Sequence, residues 1–123
     1  MTLTTLVTGA SISKREVAIA GALEADKTTA LILEGIPDGR SPLDAMAGSS
    51  ASSYQLRIFR IAPGCLCCTG NLTMRVTLNR LLRQPPQRLF ISLASAEHLD
   101  RLHAFLHEPP YCEFLQLTKD LQA

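Results

Sequence analysis

The sequence predicts an α/β domain spanning residues 1–123, a mostly parallel sheet of about five strands flanked by helices in three layers. Three observations predict it. Strand-sized apolar runs alternate with longer stretches of helix formers. Pairs such as Pro63-Gly64, Pro85-Pro86 and Pro109-Pro110 punctuate them. Two of the runs, TALIL at 29–33 and RLFISLA at 88–94, are nearly continuous in apolar residues, as in strands buried on both faces. At 123 residues the chain has the size of one domain and buries roughly two-thirds of its unfolded surface.

Leu3 to Thr8, rich in Thr, Leu and Val, reads as a first strand that meets a tight turn at Gly9. The stretch SKREVAIAGALEA, from Ser13, carries good helix formers, and Ser13 with Glu16 makes a Ser-x-x-Glu capping box at its start. Thr29 to Leu33 is the second strand, closed by Glu34-Gly35. Residues 36–54 concentrate Gly, Pro, Ser and Asp without periodicity and read as a long loop. Gln55 to Ala62 alternates in a way that suits a strand covered mainly on one face. A helix is expected over 71–83, with Met74, Leu78, Leu81 and Leu82 on one stripe, until Pro85-Pro86 stops it. Arg88 to Ala94 is a buried strand. A helix over 96–107 then faces the core with Leu99, Leu102, Phe105 and Leu106, and Tyr111 to Leu117 forms a last short strand. Strands alternating with helices imply βαβ units with right-handed crossovers.

Composition excludes some functions. A hydrophobic fraction of 46% argues against disorder, and a net charge of +1 gives no basic field for nucleic acid. The arginines from Arg57 to Arg88 have no aromatic stacking platform among them and read as solvated faces. No apolar run reaches the ~18 residues of a membrane span and no signal peptide is visible, so a cytoplasmic location is expected.

The chemistry concentrates at Cys65-Leu66-Cys67-Cys68, three thiols in four positions between a Pro-Gly turn and a helix. A helix N-terminus favours the thiolate, the form that binds metal. Such sulfurs suit an ion like Zn²⁺, which needs further ligands to complete a tetrahedron. Small buried hydrophobes or an adventitious redox cluster are the other readings. Cys112 reads as a packing residue on the last strand, and His103 and His107, four apart on one helix face, as helix surface.

The segment IAPGCLCCTGNLTMRVTLNRLL, from Ile61 to Leu82, resembles the Gly-Cys-x-Cys-Cys region of CobW-type P-loop GTPases, and the opening LVTG is similar to theirs. The resemblance implies a P-loop NTPase-like fold and a metallochaperone or metal-homeostasis role. It covers nearly all of this chain, and the family's proteins are longer, so the chain reads as a C-terminally truncated member. The family's phosphate loop has the form GFLGSGKTT, whereas Gly9 to Val17 read GASISKREV. Ile12 and Lys14 stand at glycine positions, Arg15 at the lysine and Glu16 at the first threonine, with Ser13 between them. A phosphate loop needs those glycines, a lysine and a Mg²⁺-holding hydroxyl. Glu16 is expected to cap the helix N-terminus itself, as an internal anion in place of a ligand. Lys27-Thr28-Thr29 leads into a strand and is not a displaced loop. Where the family reads IEPTGLGHP, Ile91 to Leu99 read ISLASAEHL, with Ser92 at the glutamate and Ser95 at a glycine. No guanine-reading Asn-Lys-x-Asp motif follows. The resemblance therefore implies Zn²⁺ or Co²⁺ held by Cys65, Cys67 and Cys68, with Glu34 as a further ligand and Asp38 as its substitute, and no nucleotide cofactor or GTPase activity. The expected partners are the metal, a recipient protein and a second copy of the chain, because an uncovered sheet edge favours a homodimer. The alternative is a non-catalytic interaction module that pairs with itself or with a full-length homologue.

Overall fold

The computed structural model describes residues 2–9, 11–23, 27–34, 55–61, 72–93, 99–109 and 111–123. The expected loop 36–54, Asp38, Cys65, Cys67 and Cys68 lie outside them. The described elements are β1 (Thr2–Thr8), α1 (Ile12–Ala22), β2 (Thr28–Glu34), β3 (Gln55–Ile61), α2 (Leu72–Leu81), β4 (Arg88–Leu93), α3 (Leu99–Leu106), α4 (Tyr111–Phe114), β5 (Leu115–Leu117) and β6 (Leu121–Gln122).

The strands form one parallel sheet in the order β3-β2-β4-β1-β5, with β6 also paired to β1. β5 lies along Thr2–Thr4 and β6 along Val7–Thr8, so the two pieces make one interrupted strand beside β1. The bond from Thr118 N to Thr4 O (2.8 Å) carries the ladder into that interruption. Chirality then places the helices. The path from β1 to β2 crosses β4 in one direction, whereas those from β3 to β4 and from β4 to β5 run the other way. Right-handed crossovers in opposite directions must lie on opposite faces. The core agrees: Ile19 of α1 packs with Val7, Leu31, Leu33 and Phe90 on one face. On the other, Leu78 and Leu81 of α2 and Leu102, Phe105 and Leu106 of α3 pack with Leu6, Ala30, Ile32, Leu89 and Ile91. Successive strand residues alternate between these two clusters, the period-two consequence of the pleat.

Four local expectations change. The cap of α1 is Ser11, whose Oγ accepts from Lys14 N (3.4 Å), and no acidic residue lies in the first turn. Ser13 is inside the helix and Glu16 beyond its first turn, so the expected capping box is not formed. The segment expected as the last strand begins as the helical turn α4, which places Cys112 on a turn rather than a strand. β3 is covered on both faces, with Phe59 and Ile61 against one cluster and Ile58 against the other. Finally, Arg57, Arg60, Arg75 and Arg88 are engaged, while Arg80 and Arg83 are exposed as expected. Arg57 Nη2 donates to the carbonyls of Leu81 and Gln84, satisfying the open end of α2. Arg88 lies 4.9 Å from the Phe90 ring centroid, and Arg75 5.3 Å from that of Phe105.

α4 is tied to α2 by Tyr111, buried against Phe105 (centroids 5.0 Å apart), whose hydroxyl donates to Asn79 Oδ1 (3.2 Å). Tyr111→Phe keeps the packing and loses this bond. It is expected to cost about 1 kcal/mol in urea unfolding.

Candidate functional site

In an open parallel sheet, ligands bind beyond the carboxyl ends of the strands, at the point where neighbouring strands send their connections in opposite directions. Here that point lies between β1, which leads to α1 and β2, and β4, which leads to α3 and β5. Gly9 directly follows β1, Ser92 is the penultimate residue of β4, and Glu34 closes β2 beside them.

Arg15 fills this crevice. It is 2% exposed, and its guanidinium donates in three directions: Nε to Ser92 Oγ (2.8 Å), Nη1 to the Gly9 carbonyl (2.8 Å) and Nη2 to the Glu34 carbonyl (3.1 Å). The planar fork suits three oxygens that diverge from separate strand ends, which a lysine ammonium could not span. Burial lowers the Arg15 pKa, while the Glu34 and Glu16 carboxylates raise it. Arginine's ordinary value is so high that the side chain stays charged. Gly9 packs closely under the arginine: a Cβ there would meet Arg15 Cγ at 3.2 Å and Ala123 Cβ at 3.0 Å.

Glu16 is 1% exposed, and Oε1 accepts from Arg60 Nη2 (3.0 Å) of β3. It is therefore not the internal anion expected to replace a phosphate at the helix N-terminus. The residue that occupies the ligand position is the cation one place earlier. α1 thus buries two charges as well as Ile19, and leaves Val17, Ser13 and Lys14 exposed. Sequence reasoning assigned neither Arg15 nor Arg60 this role. The available signal was that Arg60 shares a strand face with Ile58, toward α1. Arg60→Ala removes a charge-assisted bond from a buried carboxylate and is expected to cost about 1–3 kcal/mol in thermal unfolding.

Of the candidate metal ligands, only Glu34 is described. It is 5% exposed, and its register partner across the sheet is Ile61. Among the described residues no group of three or more His, Cys, Asp and Glu side chains could hold a metal ion. His103 lies on α3 and His107 in the turn just past its end, with their rings stacked 6.2 Å apart. His103 is not simply solvated: its Nε2 pairs with Asp120 Oδ2 (3.2 Å), and His107 Nδ1 donates to the His103 carbonyl (2.7 Å). Among the described residues, no helix is long and apolar enough to cross a membrane.

No protein-family profile matches the chain, nor does any solved structure. Among curated proteins, the chain is similar to the zinc chaperone YeiR of Escherichia coli (strain K12), with 39% identity over 62 residues. The match covers 50% of this chain and 19% of that protein, less than a fifth of the relative's length. A mostly parallel, helix-flanked sheet with a filled switch point is thus joined, over half of its chain, to a likeness with a zinc chaperone.

Proposed function

We propose that this chain is a zinc-binding protein of the CobW-type metallochaperone kind that does not turn over GTP. Cys67 and Cys68 are its central ligands, supported by Cys65 and Glu34. The observation that carries the reading is the similarity to a zinc chaperone, in a chain that bears the Cys-x-Cys-Cys sequence. Glu34 suits the set because Ile61, its strand partner, lies four positions before Cys65 in the chain. Carboxylate and thiolate oxygens and sulfurs are ordinary zinc ligands, and Co²⁺ accepts the same donors.

The absence of GTP turnover rests on chemistry rather than on the match. Phosphate binding needs backbone N–H groups and a free cation converging on the anion. Here the cation at the lysine position is already committed to three oxygens, and a buried carboxylate follows it. GTP with Mg²⁺ is expected to bind no more tightly than about the millimolar range, as read by calorimetry.

A carrier of this kind acts in the cytoplasm and delivers its ion to a recipient protein, and we propose self-association as its resting state. The test is metal content. Zinc and cobalt are measured by elemental analysis in the wild type and in a Cys67→Ser, Cys68→Ser variant after identical loading and desalting. About one zinc per wild-type chain and none in the variant is the expected result. Equal, near-zero metal in both would remove the carrier reading and leave the interaction module.

A further inference from the structure

The fold's ligand position is built for a cation. Among the described residues, the Gly9 and Glu34 carbonyls and the Ser92 hydroxyl face it as acceptors, and Arg15 contacts each of them. Two carboxylates, Glu34 and Glu16, add attraction for positive charge, and both are buried. A phosphate in the same place would meet carbonyl oxygens and carboxylates, where repulsion and desolvation act together. Arg15 and Ser92 are also two positions at which the chain departs from the phosphate-binding pattern it resembles, and these two departures meet at 2.8 Å. Their joint presence is what a site re-tailored around one occupant requires.

We infer that the switch point of this sheet is a guanidinium-binding cradle whose permanent occupant is the chain's own Arg15. The cradle belongs to β1, β2 and β4, and the arginine is a tethered ligand delivered by α1. It ties three strand ends to the helix and closes the crevice against anions. Its existence does not depend on zinc, so it stands or falls separately from the metal-binding reading.

The experiment is chemical rescue with chelator present, so that metal plays no part. Arg15→Ala empties the cradle while leaving its acceptors in place, and guanidinium chloride at about 10 mM is compared with equal NaCl by thermal unfolding. If free guanidinium binds the emptied site with a Kd of about 1 mM, the folded-to-unfolded ratio rises about tenfold in the variant. The wild type, whose site is filled, does not respond, and adding Ser92→Ala to the variant weakens the rescue. An Arg15→Ala protein that guanidinium stabilises no better than sodium overturns the proposal. A second arm needs no variant: pyrophosphate with Mg²⁺ is titrated into the wild type. No shift in the unfolding midpoint up to about 10 mM is expected, and binding at tens of micromolar overturns the cradle even if Arg15→Ala fails to fold.

Discussion

Replacing Cys67 and Cys68 together by serine is expected to weaken zinc binding by at least about a thousandfold in competition with a chromogenic chelator. Thiolate-rich zinc sites in small domains hold the ion by roughly 10–16 kcal/mol at neutral pH. Shared over four ligands, two thiolates account for about half of that, and serine hydroxyls at neutral pH replace little of it. Glu34→Gln, which removes one oxygen ligand and keeps the shape of the side chain, is expected to cost about tenfold in the same titration. An ordering in which Glu34 mattered more than the cysteine pair would place the ion at the strand end instead of on the cysteine segment.

Phe90→Ala is expected to cost about 3–5 kcal/mol in denaturant unfolding, the largest loss among single core substitutions. Phe90 is 1% exposed at the middle of β4, packed with Val7, Ile19, Leu31 and Leu33, and Arg88 lies over its ring. β4 is the strand between β1 and β2, so a cavity there faces neighbours on both sides that can collapse only by bending the sheet. The same change loosens the seat of α1, which delivers Arg15. Phe90→Leu, which retains most of the volume, is expected to cost less than half as much. A domain of this size has a stability of roughly 5–15 kcal/mol, so Phe90→Ala removes from about a fifth of it to all of it.

The sheet and its helices were legible because burial on two faces leaves a strong trace. TALIL and the run at 88–94 could hardly be anything but central strands, and they are the two that flank each other as β2 and β4. Pro85-Pro86 marked the end of α2, and the Pro86 carbonyl accepts from Thr2 Oγ1 (2.6 Å) at the amino end of β1. The break of the last strand was not legible, because Tyr111, Leu115 and Leu117 are all apolar or half-apolar and fit a strand or a helical turn equally well. Nor was the charge arrangement. Arg15 and Glu16 carry no periodic mark of burial, since long charged side chains usually point to water. The alignment against a phosphate loop drew attention to the residues present there but not to their directions. It assigned the filled pocket to Glu16, when geometry gives it to Arg15. The cysteine motif was legible as chemistry alone.

Zinc is expected to sit on sulfur from Cys65, Cys67 and Cys68. X-ray absorption at the zinc edge of the loaded wild-type chain tests it directly. Two or three sulfur neighbours at about 2.3 Å, completed by one or two oxygen or nitrogen atoms, is the expected first shell. A shell made only of oxygen and nitrogen at about 2.0–2.1 Å would contradict it.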